Sequence, residues 1–256
     1  MTDFKGAGIP LTQSGMETAA NRVSLGMAEL WSVVSVETSG FGFLPDRRPK
    51  ILFERHIFRR ITGGKFDADD PNVSQPSQGG YGPGGAHQYD RLAAAILLDR
   101  TAALQSASWG MGQIMGENFQ DAGFAQVEDM VTAMAGSEDN QLQAMVAFIS
   151  TNGLDKVLHN RDWAGFARRY NGPNYAANNY DGLLQHFYER YSSGPTPDLR
   201  VRTVQAYLTY KGFAPGGVDG ILGKNTQTAV KAFQTANRLE ATGIIDDDLL
   251  LKLSGS

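Results

Sequence analysis

The sequence predicts a mainly α-helical protein with a small β or loop region, built as a larger N-terminal part and a small helical tail. Three observations predict it. Apolar residues recur at the helical interval in one segment after another of the larger part. Ser192-Ser193-Gly194-Pro195-Thr196-Pro197-Asp198 sets two prolines and a glycine among small polar residues, the make-up of a short, semi-stiff linker. Beyond it, two helix-period segments and a shorter third surround the glycine-dense loop GFAPGGVDGILG.

Taken in order, Val23, Met27, Leu30, Trp31 and Val34 share one helical face, and Gly40 and Gly42 end that helix. KILFERHIFRR, residues 50–60, is expected to be a short strand running into a helix. Residues 62–85 are rich in Gly, Pro, Asp and Asn and form a long loop, of the kind that usually carries function. Helices are expected over 88–105, 126–135, 138–151, 161–169 and 179–191, and in the tail over 201–211, 225–238 and 246–253. The domain boundaries that follow are 1–194 for the large part, 195–198 for the linker and 199–256 for the tail.

Composition excludes several classes. The 256 residues are 41% hydrophobic, which excludes disorder throughout, and the net charge of -4 gives no support for nucleic-acid binding. There is no cysteine, hence no disulfide framework, thiol nucleophile or thiolate-bound zinc. The start, MTDFKGAGIPL, lacks the basic and apolar regions of a signal peptide, and no uncharged apolar run is long enough to span a bilayer. A soluble monomer without stable membrane association is the expectation.

Glu37 falls with Val23, Met27 and Val34 within about 60° of Leu30 on the first helix, so it sits on the core-facing stripe at the last turn. Burial and the negative end of the helix dipole both raise a carboxyl pKa, and a carboxylic acid kept protonated near neutrality can protonate a leaving glycosidic oxygen. The alternative is a cap or an arginine partner in the core. Glu54, among the apolar neighbours of ILFERH, is either a second carboxylate of a glycosidase pair or the partner of Arg55 or Arg59. With His56 it would share one side of a strand, but no HExxH accompanies them and no metal is expected. Asp67-Ala-Asp69-Asp70 is expected to be a solvated turn, not a calcium loop. Gly80, Gly82 and Gly85 satisfy GxGxxG, but no strand precedes them, so a loop over a cleft is the better assignment and no cofactor is implied. Ser108-Trp109-Gly110-Met111-Gly112-Gln113-Ile114-Met115-Gly116 combines small residues with polar edges, and Arg169 to Tyr175 forms a second polar-aromatic knot. Each suits a sugar-contacting wall or a helix end with core aromatics.

In order, Glu37-Thr38-Ser39-Gly40, the segment 108–116 with Gln113, and Tyr170-Asn171-Gly172 resemble the lysozyme-like superfamily of goose-type lysozymes and soluble lytic transglycosylases. VETSGFGF, RPKILFERHIF and RITGGKF resemble more closely the phage endolysin N-acetylmuramidases, over roughly residues 15–191. The tail resembles the small three-helix peptidoglycan-binding domain, through Val204-Gln205, Leu208, Gly212-Phe213, Val218-Asp219-Gly220, Leu222-Gly223, Thr226, Ala229-Val230, Phe233-Gln234 and Thr242-Gly243. It departs after Gly243, where Ile244-Ile245-Asp246-Asp247-Asp248 replaces the usual turn.

The resemblance implies a peptidoglycan hydrolase with a lysozyme-like fold, in which Glu37 is the general acid and Glu54 a second catalytic or water-orienting group. Ser108, Gln113, Tyr170 and Asn171 would line sugar subsites. A lytic transglycosylase or a non-catalytic wall-binding protein are the alternatives. The resemblance also implies an enzyme stored in the host cytoplasm that reaches periplasmic peptidoglycan once the membrane is opened.

Overall fold

A computed structural model describes residues 4–37, 41–172 and 175–255. Thr38, Ser39 and Gly40 of the first motif lie outside the described residues, as do Pro173 and Asn174 of the third. The expected mainly helical architecture is present, in two compact units.

The first unit comprises Met1–Ile9, Asn21–Val23 and Gly42–Asp155. It holds a three-stranded antiparallel sheet ordered β1 (Ile51–Phe53), β2 (Ala107–Trp109) and β3 (Ile114–Met115). Leu52 faces Ser108 across the first pair, and Ser108 faces Met115 across the second. β1 runs directly into α3 (Arg55–Thr62), the expected strand-to-helix corner, and Gly63 ends that helix with a left-handed φ of 65°. From there to a short 3-10 turn at Gly85–His87 the chain is loop, as expected. The single helix expected over 88–105 is two, α4 (Gln88–Leu98) and α5 (Arg100–Gln105). Asp99 breaks it by turning to an extended conformation and accepting a hydrogen bond from the Ala102 amide, an N-cap that starts α5 afresh. α6 (Val127–Gly136) and α7 (Glu138–Thr151) complete this unit, α7 capped by Ser137.

The second unit comprises Pro10–Ala20, Ser24–Phe41 and Lys156–Ser256. Val23 does not share a helix with Leu30: α1 (Gln13–Val23) ends there, and α2 (Met27–Glu37) begins after Ser24, at φ 51°, and Gly26. The interior of α2 is enclosed nearly all round, with Leu30, Ser32, Val33 and Val34 fully buried. A short α8 (Asp155–His159) precedes α9 (Trp163–Tyr170) and α10 (Tyr180–Ser193), and α10 is the main partner of α2. The Ser35 and Tyr191 hydroxyls meet at 2.9 Å between them.

The tail helices are α11 (Leu199–Tyr210), α12 (Lys224–Ala236) and α13 (Asp247–Ser254). Their core is Val204, Leu208, Val230, Phe233, Leu249 and Leu253. Asp246 accepts from the Leu249 amide as the N-cap of α13, so one acid of the unusual Asp246–Asp248 run is a helix start. Buried Gln205 accepts from the amides of Asp219 and Gly220 and donates to the Asp219 carboxylate, fixing the glycine loop. Gln234 plays a similar part further along the chain, accepting from the Gly243 amide and donating to the Thr242 hydroxyl. Replacing Gln205 by Ala strands two backbone amides, at a cost on the order of 2 kcal/mol. The expected result is faster amide exchange across residues 212–223 with the amides of α7 unchanged.

Candidate active site

The sequence-predicted residues form two clusters, one in each unit. In the second unit, Glu37 is the last residue of α2, a helix whose interior is buried. α9 ends beside it, its last residue Tyr170 followed by Asn171 as the C-cap. The Asn171 amide donates to both carboxyl oxygens of Glu37, at 3.1 and 3.4 Å. Gly172, at φ 87°, then turns the chain away in a conformation that disfavours any side chain. Tyr180 starts α10 after Asn179 has adopted a left-handed conformation.

Glu37 is half-buried by accessible surface, yet closely surrounded by protein. Desolvation pushes its pKa up from 4.5 to about 7, and the Asn171 hydrogen bond offsets only part of that rise. The phenols of Tyr170 and Tyr180 are also pushed up, first by burial and then by the charge of Glu37, which places both within its electrostatic reach. The carbonyl oxygen of the Asn171 amide is buried without a hydrogen-bond partner among the described residues. With its two ends exchanged, this amide would accept from a protonated Glu37 as readily as it donates to an ionised one.

In the first unit, Glu54 occupies the N-cap position of α3, where its backbone carbonyl accepts from Ile57 and Phe58. Its side chain makes no capping bond. Instead it accepts from the Tyr81 hydroxyl at 3.2 Å, and its other oxygen lies 3.1 Å from His56 Nδ1. That second approach is close but not aligned, so neither atom completes a hydrogen bond. Burial raises the Glu54 pKa, with His56 and then the Tyr81 hydrogen bond pulling it back down. Neither arginine considered from the sequence pairs with Glu54: Arg59 binds Asp67 at 2.7 Å, and Arg55 donates to Ser77 O. Asp67 is therefore a structural ion-pair partner, also receiving the Ser74 hydroxyl, and not merely a solvated turn. Glu54 and His56 meet at a strand-to-helix corner and not along a strand.

Ser108 and Gln113 lie on the β2–β3 hairpin, close to β1. Ser108 Oγ donates to Gln113 Oε1 at 2.8 Å, and Gln113 Nε2 donates to the carbonyls of Gly110 and Lys50. Their polar groups thus hold the hairpin in shape, with Gln113 itself at φ 47°. The glycines of this segment serve close packing by α7. A Cβ on Gly110 would meet Gln141, and one on Gly112 would meet Met145, both under 3 Å. Trp109 is fully buried in the core and donates to Leu104 O.

Sequence reasoning missed Tyr81 and Gln88 as parts of the Glu54 surroundings, and Tyr180 as a neighbour of Glu37. Buried Gln88 accepts from the Phe53 amide and donates to the carbonyls of Tyr81 and Pro83, joining β1 to the glycine loop. The glycines around Tyr81 were the available signal. Four positive-φ glycines, at 79, 80, 82 and 85, mark a loop bent to deliver one side chain.

The model of the N-acetylmuramidase family matches residues 26–192, and that of a peptidoglycan binding domain matches residues 198–253. The chain is similar to the crystal structure of an endolysin from the Burkholderia AP3 phage, with 40% identity, 72% of each chain covered and a TM-score of 0.67. No curated protein matches.

A raised carboxyl pKa has a stability signature. Between 4.5 and about 7 the folded chain holds a proton on Glu37 that the unfolded chain has released, so stability falls as pH rises through that window. The Glu37→Gln variant lacks this slope. Urea denaturation is expected to find it equal to wild type near pH 4 and more stable by up to about 3 kcal/mol near pH 8.5.

Proposed function

This chain belongs to the N-acetylmuramidase family, and on that premise we propose that it hydrolyses the β-1,4 bond between N-acetylmuramic acid and N-acetylglucosamine in peptidoglycan. It is a glycoside hydrolase, and the carrying observation is Glu37, a carboxyl raised to about 7 by burial and held by Asn171.

In the proposed reaction, protonated Glu37 donates to the bridging oxygen as the bond to the anomeric carbon breaks and its electron pair leaves with that oxygen. Positive charge develops on the sugar as an oxocarbenium-like state. Water then forms the new bond to the anomeric carbon, and its proton passes to Glu54 or to solvent. The assignment of Glu54 as this second group rests on its burial and its freedom from capping. Tyr170 and Asn171 supply an aromatic face and an amide next to the acid, the chemistry that suits a sugar ring. Ser108 and Gln113 contribute by shaping the hairpin that would contact the glycan.

The division of labour proposed is catalysis by residues 1–194 and polymer holding by residues 199–256, with 195–198 as linker. Holding raises the local concentration of strands to cut without altering the chemistry. In this scheme the enzyme waits in the host cytoplasm and meets the wall when the membrane is opened. No helix among the described residues is long and apolar enough to cross a membrane.

Three outcomes are expected. Glu37→Gln should lose on the order of 10²–10⁴-fold in clearing of purified walls while still sedimenting with them. Mass spectrometry of wild-type products should find reducing muramic ends; anhydro ends would instead mean a transglycosylase. Turnover of soluble fragments should fall above about pH 7 as Glu37 ionises, and should fall at acid pH as Glu54 takes up its proton.

A further inference from the structure

We propose that His56 and Tyr81 are positioning residues of Glu54, each engaging one carboxyl oxygen so that the carboxylate is held charged and in a single orientation at the β1–α3 corner. The inference rests on Glu54 being the second group of the reaction.

The first observation is what Glu54 does not do. Other acidic or hydroxyl side chains at helix starts here cap their helices: Asp99, Ser137, Asp162, Asp198 and Asp246 all accept from amides of the first turn. Glu54 occupies the same position on α3 and leaves those amides alone. Its side chain turns to Tyr81 and His56.

The second is a pair of buried, unsatisfied atoms. Glu54 Oε2 and His56 Nδ1 are 3.1 Å apart, and neither has another partner among the described residues. Leaving both unmade would cost the desolvation of each, which native structures rarely tolerate. A small rotation of the imidazole points an Nδ1–H at the oxygen and satisfies both.

The third is how Tyr81 is fixed. Its carbonyl accepts from Gln88 and from Arg91, while the same Gln88 side chain accepts from the Phe53 amide, one residue before Glu54. The loop and the corner are thereby tied through one buried amide. Gly80 permits the loop to pass Arg55, since a Cβ there would meet the guanidinium at 2.6 Å.

The charges around Glu54 come from three elements. His56 lies on α3, Tyr81 on the loop and Arg91 on α4, with Arg55 and Asp70 acting in turn on Arg91. Arg91 is spent on the carbonyls of Phe53, Tyr81 and Asn72. His56 is thus the side chain left within hydrogen-bonding distance of the second carboxyl oxygen.

The test is carboxyl-carbon NMR on the glutamate-labelled full chain, with the Glu54 signal identified by its loss in Glu54→Gln. In His56→Gln the midpoint of Glu54 should rise by about one pH unit or more, and in Tyr81→Phe it should rise by less. The acid limb of kcat/KM should move with it, leaving the alkaline limb in place. An unmoved Glu54 midpoint in folded His56→Gln overturns the proposal. Should that variant not fold, the wild type decides: coupled titration, with the imidazole and Glu54 signals each responding at both midpoints, supports it, and two independent steps overturn it. Full activity of Glu54→Gln would remove Glu54 from the reaction without touching the titration result, so the two failures are distinguishable.

Discussion

The proposed chemistry depends on the desolvation of one carboxyl at the end of a buried helix. Moving Glu37 from 4.5 to about 7 corresponds to about 3 kcal/mol against the ionised form, a sizeable share of the 5–15 kcal/mol that holds a typical domain together. The middle of α2 is enclosed and α10 packs against it, which anchors the helix that carries the acid. Tyr170, Asn171 and Tyr180 then close around the acid from α9 and α10. Any change that loosens the α2–α10 packing should lower the Glu37 pKa before it unfolds the chain.

Buried glutamines are the second recurring device. Gln88, Gln141, Gln205 and Gln234 are each nearly inaccessible, and each ties a loop to a helix or strand. Gln141 accepts from the Met111 amide and donates to Met134 O, beside Gly42 and Gly110, whose missing Cβ atoms make room for it. An amide carries donor and acceptor together, so one side chain can satisfy both polarities of a tight loop without burying a charge. The peptidoglycan-binding pattern of the tail is in large part this device used twice, which explains why Gln205 with Asp219-Gly220 and Gln234 with Thr242-Gly243 stand in it.

Much of this was legible in the sequence. Helical periodicity gave most of the helices, and the helical wheel put Glu37 on an apolar face. What escaped was decided by single residues that periodicity averages away. The apolar pattern continues through Ser24 and Asp99, so neither break was visible, although Asp99 is a good N-cap. Strands of two and three residues around Gly110 and Gly112 are too short to show an alternation. The surroundings of Glu54 could not be assembled because Tyr81 arrives from a loop, delivered by glycine conformations and a buried glutamine that composition reports only as flexible and polar.

The most direct test is titration of the Glu37 carboxyl itself, followed by its carboxyl-carbon resonance in wild type and in Asn171→Ala. A midpoint of about 7 is expected in the wild type, higher still once the Asn171 hydrogen bond is gone. A wild-type midpoint near 4.5, unmoved by the substitution, would contradict that expectation.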